Sequence, residues 1–230
     1  MRLVLFGYGR MGRLVEAHAA QHGAQVAGVL TRTSSAAEWD AAAAARPDVV
    51  IDFATGDALQ AHLDRLCTLT PAIVVGSTGW AAFEGAARAI VARHGVGAVV
   101  ASNFSVGAYL LDAAVRAVAA GVEGLDDYEA FLHEAHHSKK IDAPSGTALL
   151  LLDAMRQARF TRHVDVSSTR AGHIPGTHTV GFDGPAETVT LTHTVRDRST
   201  FAHGALRAAQ WVRGRAGWYS MRDVLGLSSL

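Results

Sequence analysis

Five short apolar runs dominate the first hundred residues: RLVLF (2–6), AQVAGVL (24–30), PDVVIDF (47–53), PAIVVGSTGW (71–80) and VGAVVASNF (96–104). Between most of them lie stretches with apolar residues at three- and four-residue spacing: RLVEAHAAQHG after the first run, then alanine-rich 56–69 and 81–94. The alanine run 41–45 reads as helix too. Runs this short are strands, and the 3.6-residue period between them is helical. Such alternation folds as a parallel sheet with right-handed crossover helices.

The turn after the first run narrows the reading. Gly7-Tyr8-Gly9-Arg10-Met11-Gly12 is a G-x-G-x-x-G set between a strand and a helix. Gly7 permits the tight turn, Gly9 lets a pyrophosphate approach the backbone, and Gly12 lets helix and strand pack closely. The phosphates are then expected on the unpaired N–H groups that open the helix. The later strands also end in small or polar groups: Thr31-Arg32-Thr33, Asp52-Phe53-Ala54-Thr55, Gly76-Ser77-Thr78-Gly79 and Ser102-Asn103-Phe104. Ligands of open α/β sheets bind beyond the carboxyl ends of the strands, so these turns, with the glycine turn, are the expected cofactor site. After the second strand an NAD-selective site usually places an acid; here Thr31-Arg32-Thr33-Ser34 offers a guanidinium instead. Arg32 is therefore the expected contact for a 2′-phosphate, with NADPH used at least as well as NADH.

Charge excludes some alternatives. Lys plus Arg equals Asp plus Glu at 21 each, so no global field argues for nucleic acid. One cysteine, Cys67, precludes an intrachain disulfide and fits a reducing compartment. MRLVLFGYGRMG carries too short an apolar run for a signal peptide or a membrane span, so a soluble cytoplasmic protein is expected.

After Phe104 the pattern changes. VGAYLLDAAVRAVAAGV (106–122) reads as one long amphipathic helix, and YEAFLHEAHH (128–137) alternates as a half-buried strand does. VDVSSTR, THTVGF and ETVTLTHTV add strands in a run, which points to an α+β domain with an open mixed sheet. The expected division is a dinucleotide-binding domain over 1–104, completed by C-terminal helices from 205–230, and a substrate domain over 105–204.

The chemistry concentrates in HEAHHSKKIDAPSGTALLL (133–151). Pro144 punctuates, Ser145 or Thr147 can cap, and a helical period follows. The N–H groups of Ser145, Gly146 and Thr147 at that positive helix end form a receptor for a carboxylate or phosphate. His136, His137, Lys139 and Lys140 precede it, close enough to converge on the same anion and able to exchange protons. Adjacent histidines on a strand face opposite ways, so one of the pair can be structural. A metal site on His133, His136 and His137 is disfavoured, because their spacing suits a helix and the segment reads as strand into loop.

EAHHSKKIDAPSGTAL resembles the signature of the 4-hydroxy-tetrahydrodipicolinate reductase (dihydrodipicolinate reductase) family. GRMG, VIDFA, GSTGW, SNFSVG, RAGHIPGTHTVGF, THTVRDRSTFAHGALRAAQW and MRDVL resemble further family blocks in family order, across nearly the whole chain. The resemblance implies a Rossmann domain with a mixed-sheet domain, usually a homotetramer, and domain closure over the substrate. It implies NADPH- or NADH-dependent reduction of a cyclic dicarboxylate, 4-hydroxy-tetrahydrodipicolinate, to tetrahydrodipicolinate with loss of water, on the diaminopimelate route to lysine. By position in the motif, His136 corresponds to the catalytic acid/base, Lys140 to the proton donor and His137 to a substrate contact. Gly146 and Thr147 correspond to backbone contacts with a substrate carboxylate. Arg170 and Arg198 are candidates for the second carboxylate by charge and neighbourhood.

Three departures stand out: the plain Gly7-x-Gly9 spacing, Thr31 where many members have Glu, and a compressed segment between Arg32 and Pro47. The rival readings are another Rossmann dehydrogenase, for an amino or sugar substrate, and a catalytically silent nucleotide sensor. The joint presence of His136, His137, Lys140 and the Ser-Gly-Thr receptor argues against both.

Overall fold

The structure, a computed structural model, describes residues 1–228. It divides into two compact units, Met1–Ser105 with Ser199–Ser228, and Val106–Arg198. Residues 229 and 230, the end of the expected C-terminal segment, lie outside the described residues.

The first unit holds a six-stranded parallel sheet. Its strands are β1 (Arg2–Phe6), β2 (Gln25–Leu30), β3 (Val49–Asp52), β4 (Ala72–Val75), β5 (Gly97–Val100) and β10 (Gly217–Tyr219), in the order β10-β5-β4-β3-β1-β2. Central strands VVID and AIVV are buried throughout, as strands covered on both faces must be. Val4, Phe6, Val50, Ile73 and Val75 pack with Trp39 of α2 (Ala36–Ala44), Leu59, Leu63 and Leu66 of α3 (Gly56–Leu69), and Ala87 and Val91 of α4 (Glu84–His94). Their strand neighbours Leu3, Leu5, Val49 and Ile51 are equally buried and point the opposite way. That side is covered by α1 (Arg10–Ala19) and α7 (Ser199–Val212), which pack on each other.

Two differences from the sequence reading concern the C-terminal segment. Helix α7 begins at Ser199, so the chain re-enters the first unit before residue 205. The short strand β10 was not expected: three residues after a glycine turn carry no readable period, and pairing with β5 is what makes GWY a strand.

The second unit opens with α5 (Val106–Val122) and continues through β6 (Glu129–His136), α6 (Gly146–Gln157), β7 (Val164–Arg170), β8 (Thr177–Asp183) and β9 (Thr188–Thr194). Its sheet order is β7-β6-β8-β9, with β6 and β7 parallel and the other pairs antiparallel, a mixed sheet. Alternate β6 residues are buried. Ala130 and Leu132 join Val180 and Phe182 beneath α5 and α6, around Val115, Leu151 and Met155. His133 lies on the opposite face, where its Nδ1 is 2.8 Å from Ser167 Oγ and Thr179 Oγ1 is 3.1 Å from Thr192 Oγ1. Helix α8 (Met221–Val224) follows β10 and starts on a capping box from Ser220 to Asp223.

Candidate active site

In the first unit the glycine turn is built as its sequence requires. Gly7 has φ of 93°, and a Cβ there would sit 2.6 Å from the backbone N of Ala54. Gly9 is the N-cap of α1 and contributes no side-chain cap, and a Cβ on it would meet nothing within 4 Å. The first-turn N–H groups of a helix lack intrahelical partners, so this opening suits a pyrophosphate. Arg10 is exposed and Met11 half-buried at the same helix start. Tyr8 has its hydroxyl hydrogen-bonded to Glu16 and its ring 5.3 Å from the Arg13 guanidinium carbon.

Arg32 is exposed in a turn closed by Thr31 N–H to Ser34 Oγ at 3.0 Å. The compressed segment after it contains α2, started by a Ser35–Glu38 capping box. Thr78 and Ser102 are exposed at other strand ends. Three expected cofactor residues have side chains engaged in the fold. Ser77 is buried and donates its hydroxyl to Asp52 at 2.5 Å, while Phe104 is buried edge-on against Phe53, centroids 5.8 Å apart. The Asn103 side-chain oxygen accepts from Ser105 N–H at 2.8 Å. For Phe104 this leaves packing as the side chain's role. Asp52, given no role by the sequence, ties β3 to the loop after β4; burial pushes its carboxyl up to about 6 despite hydrogen bonds from Ser77 and Ala54.

In the second unit the motif surrounds a buried carboxylate that the sequence reading did not single out. Glu134 is fully buried on β6. Its oxygens accept from Arg170 Nη2 at 2.6 Å, Ser168 Oγ at 2.8 Å and Ser145 N–H at 3.1 Å. Burial alone would raise its pKa, but the hydrogen bonds from Ser145, Arg170 and Ser168 outweigh that and hold it at about 2. Glu134 is therefore an anion at neutral pH.

Two histidines flank it. His136 Nδ1 lies 3.7 Å and His178 Nε2 3.6 Å from Glu134 Oε2, and the two rings meet edge-to-face with centroids 5.0 Å apart. Burial lowers the pKa of both, that of His178 to about 4, so both are neutral near pH 7. Glu134, His136 and His178 place ligand-type atoms within 4.8 Å of one another. The guanidinium of Arg170 on the same carboxylate and its other donors make this a hydrogen-bonded frame rather than a cation seat.

Ser145, not Thr147, caps α6: its Oγ accepts from Ala148 N–H at 3.2 Å. Because its own N–H goes to Glu134 and its side chain is buried, Ser145 belongs to the frame around Glu134, and of the expected anion receptor only the N–H groups of Gly146 and Thr147 remain. Lys140, partly buried in the loop, contacts the Asp142 carboxylate through Nζ at 2.7 and 2.8 Å. His137 is half-exposed and Lys139 exposed. Arg170, a candidate for the second substrate carboxylate, spends its Nη groups on Glu134 and on the carbonyls of Asp142 and Thr169.

Glu134 and His178 are 44 residues apart in the sequence, and only the β6–β8 register sets them opposite each other. The weak signals were the alternation of β6, which puts Glu134 inward with His136, and the histidine within the THTVGF block.

Comparison with known proteins covers both units. The model described as "Dihydrodipicolinate reductase, N-terminus" matches residues 1–104, and "Dihydrodipicolinate reductase, C-terminus" matches 107–225. A 4-hydroxy-tetrahydrodipicolinate reductase of Thiobacillus denitrificans is 38% identical over 95% of this chain and 96% of its own. One from Rhodopseudomonas palustris is 37% identical over 100% and 99%. Among solved structures, a dipicolinate-bound dihydrodipicolinate reductase from Paenisporosarcina sp. TG-14 shares the fold with a TM-score of 0.82 at 20% identity, over 97% of this chain and 98% of that one. With both halves matched and relatives aligned end to end, the chain belongs to the dihydrodipicolinate reductase family of oxidoreductases.

Proposed function

We propose that this enzyme reduces 4-hydroxy-tetrahydrodipicolinate to tetrahydrodipicolinate, on the diaminopimelate route to lysine. One substrate, one NAD(P)H and one proton give one product, one water and one NAD(P)⁺. The observation that carries the reading is the frame around Glu134, which places His136 beside the open N-terminus of α6.

The residues divide the work. The Gly7–Gly12 turn holds the dinucleotide, with Gly9 against the pyrophosphate and Arg10, Met11, Thr78 and Ser102 at the pocket edge; the nicotinamide, when bound, supplies the hydride. Gly146 and Thr147 N–H groups receive one substrate carboxylate, and His137 contacts the substrate. Reduction of a conjugated C=C–C=N unit builds negative charge on nitrogen and the adjacent carbon, which a cationic donor quenches. Lys140, with an ammonium held by Asp142, is that donor. His136, neutral at neutral pH and with Nδ1 toward Glu134, acts as the base that accepts a proton and returns it. Arg32 makes NADPH at least as good a donor as NADH. The working form is inferred from the resemblance to be a cytoplasmic homotetramer, which light scattering of the purified protein checks for mass.

A coupled assay tests the function. The substrate is generated in situ by its synthase and the loss of NAD(P)H absorbance is followed. Turnover is expected with at least one cofactor, and Lys140→Ala and His136→Gln are each expected to lower kcat by about a hundredfold. No turnover with either cofactor overturns the function; wild-type rates in both variants overturn the assigned roles.

A further inference from the structure

The reading of His136 as the acid/base leaves open what sets its orientation, and a second buried histidine behind it answers that. His178 is 3% exposed, and its Nε2 lies 3.0 Å from Ser145 Oγ. Its Nδ1 is buried without a hydrogen-bond partner, as is that of His136, but the Glu134 anion faces His178 at Nε2 and His136 at Nδ1. A bare lone pair is cheaper to bury unpaired than an N–H donor, so the proton of the neutral ring belongs on Nε2. Ser145 Oγ then accepts from both His178 and Ala148 N–H, which turns its own proton toward Glu134.

We propose that His178 is a positioning residue for His136: its Nε2–H donates to the Ser145 hydroxyl, which donates to Glu134 and holds that carboxylate against the Nδ1 side of His136. His136 then carries its proton on Nδ1, facing the anion 3.7 Å away, and leaves Nε2 bare on the Gly176 side, where a Cβ on that glycine would stand 3.2 Å from it. The charge pattern fits. His136 is influenced by Glu134 of its own strand, Lys140 and Asp142 of the following loop, and Arg170 of β7. His178 is influenced by His136, Glu134, Lys140 and its β9 register partner His193, itself kept neutral by burial. The Glu134 carboxylate lies within 4 Å of both histidines, 3.7 Å from His136 Nδ1 and 3.6 Å from His178 Nε2.

The test is ¹⁵N NMR of the histidine rings of the full-length protein through a pH titration, with kcat and KM measured in parallel. Wild type should show His136 as the Nδ1–H tautomer. In His178→Leu the Nδ1–H population should fall, the His136 midpoint should drop by about one unit as Glu134 disengages, and kcat should fall about tenfold with KM changed less than about threefold. Ser145→Ala removes the same relay from its other end and should move the midpoint in the same direction. His178→Gln keeps an amide donor and should retain at least about a third of kcat with an unmoved midpoint. An unchanged tautomer and midpoint in His178→Leu and Ser145→Ala overturns the proposal, as does a Gln variant as impaired as Leu. Absence of turnover in wild type overturns the functional reading instead, and the NMR comparison still decides the positioning role.

Discussion

At the scale of single residues, the site depends on one anion that never meets solvent. Glu134 and Arg170 form a buried pair at 2.6 Å, and removing one partner of such a pair leaves the other charge unpaired. Glu134→Gln is therefore expected to destabilise the second unit by about 3 kcal/mol in urea unfolding, well beyond a typical surface change. Because the folded carboxyl sits near 2, below its unfolded value, its stabilisation is complete above about 4.5 and disappears as pH falls toward 2. The variant should therefore lose its deficit in that acid window. Arg32 is the contrasting case, an exposed cation in a turn whose side chain makes no hydrogen bond among the described residues. A phosphate contact there is charge-assisted, so Arg32→Ala should weaken NADPH binding about tenfold and leave NADH almost unchanged, as fluorescence titration of each cofactor would measure. Equal affinity of wild type and variant for NADPH would remove Arg32 from the site.

At the scale of elements, the decisive piece is the start of α6. Its cap, Ser145, satisfies Ala148 N–H, contacts His178 and gives its own N–H to Glu134, so helix, strand β6 and strand β8 meet at one residue. Thr55 caps α3 through Ala58 N–H, with no comparable partners among the described residues. Thr55→Ala is expected to cost about 1 kcal/mol, the ordinary value of a cap, and Ser145→Ala about 2 kcal/mol, because it also strips donor and acceptor from buried groups. Chemical denaturation of the two variants compares them; equal losses would mean that Ser145 is only a cap. The motif showed that a helix begins here, but left Ser145 and Thr147 as alternatives. The choice is made by burial: only Ser145 lies under the loop, in reach of β6 and β8.

At the scale of the molecule, the two units respond to acid with opposite signs at their buried polar centres. Asp52, in the first unit, is raised by burial to about 6, so the folded state holds its proton more tightly than the unfolded chain. Its stabilising effect is full below about 4 and lost as pH rises through 6. Asp52→Asn removes the cost of the buried charge and should be more stable than wild type by about 3 kcal/mol at pH 7.5, the gap closing by pH 4 in calorimetry. A gap independent of pH would refute the raised value. His178, in the second unit, is depressed to about 4, so acidification from 6.5 to 4 costs stability there. Periodicity and glycine chemistry were enough to read the parallel sheet, the mixed sheet, the glycine turn before α1 and the start of α6, because each is a local pattern of strand, turn or cap. Three things were not local. Strand β10 exists by pairing with β5, the side chains of Ser77 and Phe104 contact Asp52 and Phe53, and Glu134 is held by Arg170 beside His178. The sequence by itself determined which groups could do proton chemistry and where a helix end could seat an anion. Only the tertiary structure decided which of them are buried together, because desolvation and cross-strand register depend on residues far apart in the chain.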